Sequence, residues 1–304
     1  MPSTSAPDSR PPSGVLYVVA TPIGHREDIT LRALSVLQAV HLVAAEDTRK
    51  SGELLRHFGI HARLVSYHEH NEAERTPQLL SRLLAGEDIA LVTNAGTPGI
   101  SDPGYRLVSA AARAGVRVVP VPGASAAIAA LSASGLPTDA FVFEGFLPKR
   151  EGPRRKRLVA LAAERRTIIL YESPHRLAER TAELLAVLGD RPAVLARELT
   201  KVHEEFLRGP LSELTAELER RGEIRGECTL LIGPAAEGTP PGAWEQAREE
   251  IRQGTAAGRE PRGLIREIAA RHGLPRNALY REALHLKKEA EPNPGRKSPE
   301  PQRK

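Results

Sequence analysis

The chain has 304 residues, of which 40% are hydrophobic and 27% charged, and its formal net charge is +5. This length allows two or three domains with a substantial core, and the composition is ordinary for a globular protein. No apolar run reaches the roughly eighteen residues that a membrane-spanning helix needs, and a single cysteine, Cys228, excludes both a disulfide framework and a thiolate metal site.

The N-terminal part of the chain predicts a disordered lead-in followed by a first α/β domain. Residues 1–13 lack the hydrophobic segment of a secretion signal, which favours a cytoplasmic location. From residue 14, short apolar runs alternate with amphipathic stretches. This alternation predicts a domain over 14–121 with a mostly parallel sheet and helices on both of its faces.

The pattern changes after residue 121. The runs AVLARELT and EEFLRG follow each other with a short connection, which predicts an antiparallel pair of strands in a mixed sheet and a second α/β domain over 122–236. A Pro/Gly linker, EGTPPGA (237–243), leads to a predicted helix-turn-helix-like unit over 244–288, and 289–304 is a predicted disordered basic tail. Units of this helical type either bind nucleic acid or pack against protein, and the sequence leaves both open.

Three loops directly follow predicted strands of the first domain: ATPIGHRED (20–28), AEDTRK (45–50) and TNAGTPGISDPG (93–104). The carboxyl ends of parallel strands meet at one edge of a sheet, where open α/β sheets bind their ligands. Small residues let a ligand approach the backbone closely, so we expect a small-molecule site. In the third loop, Asp102 and Pro103 are predicted to cap and begin the next helix. The glycine patterns that cradle NAD or nucleoside triphosphates are absent.

Positive charge is concentrated in FLPKREGPRRKR (146–157), where six basic side chains accompany one acidic side chain. Such a cluster either binds the phosphates of a nucleic acid or forms a solvated surface. We expect its last four basic residues, Arg154, Arg155, Lys156 and Arg157, to occupy the exposed start of a helix and to bind phosphates.

Taken in order, the motifs TPIG, EDTR, AGTPGISDPG, PGASA, YESPHR and RELTK resemble the ribosomal RNA small-subunit methyltransferase I family, a branch of the tetrapyrrole methylase superfamily. The resemblance covers residues 14–236. It implies a two-domain α/β fold with a parallel and a mixed sheet, a small C-terminal helical unit and a homodimer. It also implies binding of S-adenosylmethionine between the domains, and 2′-O-methylation of a cytidine in the decoding region of small-subunit RNA, either naked or in the particle.

The resemblance also implies roles for residues of these motifs. The candidates for cofactor binding are Pro22, Gly24, Asn94, Ala95, Gly96, Thr97, Pro98, Ser125 and Ala126. Asp47, Glu172 and Lys201 are the catalytic candidates for handling the proton of the hydroxyl group, and Arg49, His175 and Arg176 are further candidates for RNA phosphates. Each charged residue could instead form an ion pair that braces a loop, and Ser173 with Pro174 could begin a helix. The reaction requires no metal.

The sequence departs from the family pattern at three positions. Ala20 and His25 stand where glycine and asparagine are common, and Asn94 stands where aspartate is common. Asparagine retains an acceptor oxygen but not the charge. Two alternatives stay open. A methylase of a corrin or porphyrin precursor would share the loops of the first domain, and Ala20 and Asn94 leave room for a catalytically weakened binding protein of ribosome assembly.

Overall fold

The computed structural model describes residues 13–235, 243–274, 276, 279, 280, 282–284 and 286, which form two compact units. The first unit contains the described residues up to Gly135 together with Ala196–Phe206 and Gly226–Thr229, and the second contains the remainder. The first unit thus continues to Gly135, beyond the predicted boundary at 121. The tail predicted over 289–304, and most of the predicted lead-in and linker, lie outside the described residues.

The first unit is built on a five-stranded sheet with the order β3-β2-β4-β1-β5. All four pairs of neighbouring strands are parallel, as predicted. The strands are β1 (Val15–Val19), β2 (Leu42–Ala45), β3 (Leu64–Ser66), β4 (Ile89–Val92) and β5 (Arg117–Val121), and the helices are α1 (Leu31–Ala39), α2 (Thr48–His57), α3 (Glu72–Leu84), α4 (Tyr105–Arg113) and α5 (Ala126–Ser134).

Helices cover both faces of this sheet because successive strand residues point to opposite faces. Leu91 packs in a core with Leu83 of α3 and Leu107 of α4. Its neighbour Val92 packs in a second core with residues of α1 and α2, among them Leu37. Every residue of β2 and β4 is buried, which explains why these strands are continuous apolar runs in the sequence.

The second sheet has the order β6-β7-β10-β8-β9. Its strands are β6 (Phe141–Phe146), β7 (Thr167–Glu172), β8 (Pro192–Arg197), β9 (Glu205–Pro210) and β10 (Cys228–Ile232), and its helices are α6 (Glu151–Leu161), α7 (Leu177–Leu188) and α8 (Leu211–Arg221). Strands β6 and β7 are parallel. Strands β8 and β9 are neighbours joined only by residues 198–204, which is too short for a parallel crossover and makes them an antiparallel pair. The predicted mixed sheet is confirmed.

The described part of the C-terminal unit contains α9 (Ala243–Ala256) packed against α10 (Pro261–His272). The carboxylate of Glu260 caps α10 by accepting hydrogen bonds from the backbone N–H groups of Arg262 and Gly263. In this C-terminal unit, the apolar residues Ile265, Ile268, Ala269, Leu274 and Leu279 are buried. Within the described ranges, no helix is both long and apolar enough to cross a membrane.

Candidate functional site

The loops after β1 and β4 meet at the carboxyl edge of the first sheet. These strands are neighbours, but the chain leaves β1 towards the β3 edge and leaves β4 towards the β5 edge. Open α/β sheets form their binding crevice at such a switch point. Thr21 and Gly96 join the two loops through reciprocal backbone hydrogen bonds, with N···O distances of 2.9 and 3.0 Å.

A third loop, after β5, joins the same edge. The Thr97 hydroxyl group donates a hydrogen bond to the carbonyl of Ala124 across 3.2 Å. A Cβ atom on Gly123 would lie 3.0 Å from the Cβ of Ala20. The loops after β1 and β5 therefore approach as closely as small residues allow. Ser125 is the N-cap residue of α5, and its side chain makes no capping hydrogen bond. The structure therefore brings the loops that carry all nine predicted cofactor residues to one edge of one sheet.

The conformation of the loop is the first reason for the glycines of TNAGTPGISDPG. Gly96, Gly99 and Gly104 have φ angles of 84°, 81° and 147°, which residues with a Cβ atom rarely adopt, and Ser101 has φ 64°. The predicted cap is wrong: α4 begins at Tyr105, and its N-cap residue is Gly104 rather than Asp102. The positive φ angles at Ser101 and Gly104 delay the start of the helix past Pro103.

Asp102 and Glu46 form an acidic pair around Thr93 that sequence reasoning did not include in the site. The carboxylate of Glu46 accepts hydrogen bonds from Thr93 Oγ1 at 2.6 Å and from the backbone N–H of Asn94 at 3.0 Å. Burial and, after it, the charge of Glu46 raise the pKa of Asp102 to about 6. The sequence signal of Asp102 was masked because Asp-Pro-Gly is also typical of a helix start.

Lys201 lies in a tight turn that belongs to the first unit. Glu198 and Thr200 of this turn have positive φ angles of 51° and 63°, although neither residue is glycine. The ammonium group of Lys201 contacts Glu198 at 2.8 Å and Glu227 at 3.2 Å. Burial disfavours its charge, but hydrogen bonds to the two carboxylates outweigh burial and raise the pKa of Lys201. A lysine kept protonated in this way suits contact with an anion better than removal of a proton.

Asp47 is the N-cap residue of α2. Its Oδ1 accepts a hydrogen bond from the backbone N–H of Arg49 at 2.9 Å, and the Arg49 guanidinium lies 3.2 Å from Oδ2. The side-chain hydrogen bond from Arg49 is the main cause that lowers the pKa of Asp47. This local pairing makes Asp47 a weak base, whereas the side chain of Arg49 remains 88% exposed.

Glu172 lies in the second unit at the centre of a chain of ion pairs. Only 5% of the residue is exposed, and its carboxylate accepts from the backbone N–H of Ser173 at 2.8 Å. It also contacts Arg176 at 3.1 Å and Arg180 at 3.2 Å. Arg180 pairs further with Glu183, which accepts a hydrogen bond from Arg154. Pro174–Arg176 forms a 3₁₀ turn before α7, and Ser173 provides no side-chain cap.

The four basic residues of α6 do not share one environment. The expectation that all are exposed is wrong for Arg154, which is 8% exposed and bonded to Glu183 and to the carbonyl of Lys149. It falls at helical spacing on the buried face of α6. Arg155 is half-buried and pairs with Glu282, whereas Lys156 and Arg157 are exposed, and Arg157 pairs with Glu144.

Comparison with known proteins matches the family described as Tetrapyrrole (Corrin/Porphyrin) Methylases to residues 15–215. The chain is 50% identical over 277 residues to a protein of Synechocystis sp. named ribosomal RNA small subunit methyltransferase I, covering 90% of this chain and 98% of that one. A protein of the same name from Micromonospora olivasterospora is 50% identical over 274 residues, covering 89% of this chain and 86% of that one.

A solved structure shares the fold. It is the uroporphyrin-III C-methyl transferase of Thermus thermophilus complexed with S-adenyl homocysteine, with a TM-score of 0.51 and 23% identity, and the match covers 72% of this chain and 97% of that one. The names of the two relatives agree with the family that the sequence motifs predicted. This chain belongs to the ribosomal RNA small subunit methyltransferase I family of the tetrapyrrole methylases.

Proposed function

We propose that this protein transfers a methyl group from S-adenosylmethionine to ribosomal RNA of the small subunit. The proposed acceptor is the ribose 2′-hydroxyl group of a cytidine in the decoding region. The convergence of the loops after β1, β4 and β5 at a switch point is the observation that carries the proposal, because it builds a small-molecule site on the motifs shared with the family. We also propose a homodimer and a cytoplasmic location, where small subunits are assembled.

The residues present fit this cofactor. The side-chain oxygen Oδ1 of Asn94 is buried and has no hydrogen-bond partner among the described residues. A buried acceptor without a donor is costly, and the ammonium group of S-adenosylmethionine is a suitable donor. Gly96 and Thr97 would present their backbone to the cofactor, and Ser125 its hydroxyl group. Pro98 is itself buried, so its contribution would be to fix the loop.

The main task of the protein in this reaction is to align the acceptor oxygen with the methyl group. When bound, S-adenosylmethionine supplies an electrophilic methyl group on a sulfonium centre. The chain must hold the acceptor oxygen in line with the methyl group and the sulfur, and the proton that the hydroxyl group loses passes to water. Among the three catalytic candidates, Asp47 is engaged as a cap and Glu172 in ion pairs. Lys201, held protonated beside the cofactor loops, is the one that we assign to an anionic oxygen of the substrate.

RNA contacts would then fall to the basic groups that remain accessible. Lys156 and His175 are exposed, and so is the guanidinium group of Arg49. Arg154 and Arg176 are held in the ion-pair chain around Glu172, and Arg155 and Arg157 pair with the buried carboxylates of Glu282 and Glu144. Arg49 also has a partner, Asp47, but its side chain is 88% exposed. We therefore assign phosphate contacts first to Lys156, Arg49 and His175.

Two observations favour this proposal over its alternatives. The relatives named for ribosomal RNA are about twice as similar in sequence as the porphyrin methylase, at 50% against 23% identity, which disfavours a corrin or porphyrin precursor as substrate. Ala20, one reason to suspect lost catalysis, is 2% exposed, and its methyl group fits against Gly123 of the neighbouring loop.

The test is methyl transfer by the purified protein. It is incubated with methyl-labelled S-adenosylmethionine and, separately, with naked small-subunit RNA and small subunits lacking the modification. We expect the label in 2′-O-methylcytidine after nuclease digestion. Label on a base, label only on an added porphyrin precursor, or cofactor binding without transfer to either RNA substrate would contradict the proposal.

A further inference from the structure

Two carboxyl groups converge on the hydroxyl group of Thr93, which is 2% exposed. The hydroxyl oxygen lies 2.6 Å from Glu46 Oε2, and the side chain of Asp102 is hydrogen-bonded to the same group. A threonine hydroxyl group has one hydrogen to donate. The hydroxyl group can therefore bond to both carboxyl groups only when one of them carries a proton, and burial together with the charge of Glu46 makes Asp102 the one that is neutral.

This hydroxyl group lies at the root of the segment 93–98, which carries five of the predicted cofactor residues. Glu46, the acceptor of its hydrogen, also holds the backbone N–H of Asn94 at 3.0 Å. The carbonyl of Thr93 accepts a hydrogen bond from Thr21 Oγ1 at 3.1 Å, next to the backbone bridge between Thr21 and Gly96. The position of the cofactor loop therefore depends on the contacts that Thr93 makes.

The charges around Asp102 favour its neutral form. Burial raises its pKa most, followed by the charge of Glu46 after β2. These two effects, with a weaker one from the charge of Glu227 before β10, outweigh the hydrogen bond with Thr93, which lowers the pKa. Glu227 is partly compensated by Lys201. On its other side Asp102 borders a cavity of about 880 Å³ whose charged residues from the α3 and α4 segments are Glu69, Glu72, Arg106 and Arg113. Of these, Glu72 is paired with Arg106 at 2.8 Å.

We propose that Asp102 is a positioning residue for the cofactor loop. Its neutral carboxyl group donates to Thr93, Thr93 donates to Glu46, and Glu46 holds the amide of Asn94. Ionisation of Asp102 removes the first donor and leaves two carboxylates competing for one hydrogen, which loosens segment 93–98. The link to S-adenosylmethionine rests on the function proposed above.

The proposal makes cofactor affinity depend on pH through Asp102. A ligand that binds the ordered loop binds the protonated form more tightly, and by linkage it raises the pKa of Asp102. Affinity then falls as pH rises, by up to about tenfold for each unit by which binding raises that pKa. Asparagine at this position donates a hydrogen bond at every pH, so Asp102→Asn should remove the dependence and keep the high affinity.

The experiment combines NMR and calorimetry between about pH 5 and about pH 8, with the full chain as wild type, Asp102→Asn and Asp102→Ala. In the ligand-free wild type, the amide signals of Asn94 and Gly96 should titrate with the carboxyl signal of Asp102, and in Asp102→Asn they should not. Calorimetry with S-adenosylmethionine should give falling affinity in the wild type, constant affinity in Asp102→Asn and weak binding in Asp102→Ala. Glu69→Gln, an exposed carboxylate of the same cavity, is the control and should keep the wild-type profile.

The inference is overturned if the Asn94 and Gly96 amides do not follow Asp102, or if Asp102→Asn retains the pH dependence of the wild type. A wild type that binds no cofactor at any pH contradicts the proposed function instead. In that case the amide titrations, which need no ligand, still decide whether Asp102 orders the loop.

Discussion

Gly24 lies so close to Lys201 that a Cβ atom at Gly24 would be 2.6 Å from the Cγ atom of Lys201. The same atom would also be 2.6 Å from Thr200 Oγ1, which accepts a hydrogen bond from the backbone N–H of His25 at 2.9 Å. The motifs TPIG and RELTK, far apart in the sequence, are thus in direct contact in the fold. Glycine is required at position 24 by this approach, whether or not the cofactor also touches it.

This contact predicts that Gly24→Ala destabilises the protein. The added methyl group must displace the turn that contains Lys201, at a cost of about 1–3 kcal/mol in the free energy of unfolding. Urea denaturation measures the change. Gly152→Ala is the matched control, because nothing lies within 4 Å of a Cβ atom there and alanine favours the helix. Equal stability of Gly24→Ala and wild type would show that the approach is not as close as described.

Asn94 offers a way to separate cofactor binding from stability. Replacing the buried, unpartnered oxygen with an apolar group of similar size, in Asn94→Leu, should leave the free energy of unfolding unchanged or higher. Affinity for S-adenosylmethionine should fall at least about tenfold, because a charge-assisted hydrogen bond is lost. Asn94→Asp, which restores the residue common in the family, should retain binding. Wild-type affinity in Asn94→Leu, measured by calorimetry, would remove Asn94 from the site.

Arg154 and Lys156 should behave as opposites although they lie two residues apart. Arg154→Gln breaks a buried ion pair with Glu183 and should lower the free energy of unfolding by about 3 kcal/mol. Lys156→Gln should change it by less than about 0.5 kcal/mol. If Lys156 binds a phosphate, its loss lowers the magnitude of the salt slope of RNA affinity by roughly 0.7 to 0.9. An unchanged slope would make Lys156 a solvated surface residue.

Asp102 should also make stability depend on pH. The folded protein binds the proton more tightly than the unfolded chain, since the pKa of Asp102 is raised to about 6. The contribution of the protonated Asp102 to the free energy of unfolding is therefore fully present below about pH 4 and is lost as pH rises through about 6. The stability of Asp102→Asn relative to wild type should grow over this range, by on the order of 1 kcal/mol once solvent screening of the partly exposed group is allowed for. Urea denaturation at both ends of the pH range measures the difference in the free energy of unfolding between Asp102→Asn and wild type. A difference that does not change with pH would contradict the prediction.

The sequence predicted those features that local patterns determine. The alternation of apolar and amphipathic runs placed β1 to β5 in a parallel sheet, and the loops that follow them contain the motifs that meet at its edge. It failed for Asp102 because a local cap and a tertiary contact use the same residue types. It failed for Arg154 because the helical face of a residue depends on where α6 begins and what packs there. The positive φ angles at Glu198 and Thr200 left no sequence signal at all, since neither residue is glycine.

The most direct test of the proposed function is mass-spectrometric mapping of ribose methylation in small-subunit RNA. The comparison uses cells that lack this protein, cells that express it, and cells that express Asn94→Leu at the same level. The proposed function predicts one 2′-O-methylcytidine in the decoding region that is absent without the protein, is restored by it and is reduced with Asn94→Leu. An unmodified decoding region in cells that express the wild-type protein, or a methyl group that persists in cells that lack it, would contradict the proposed function.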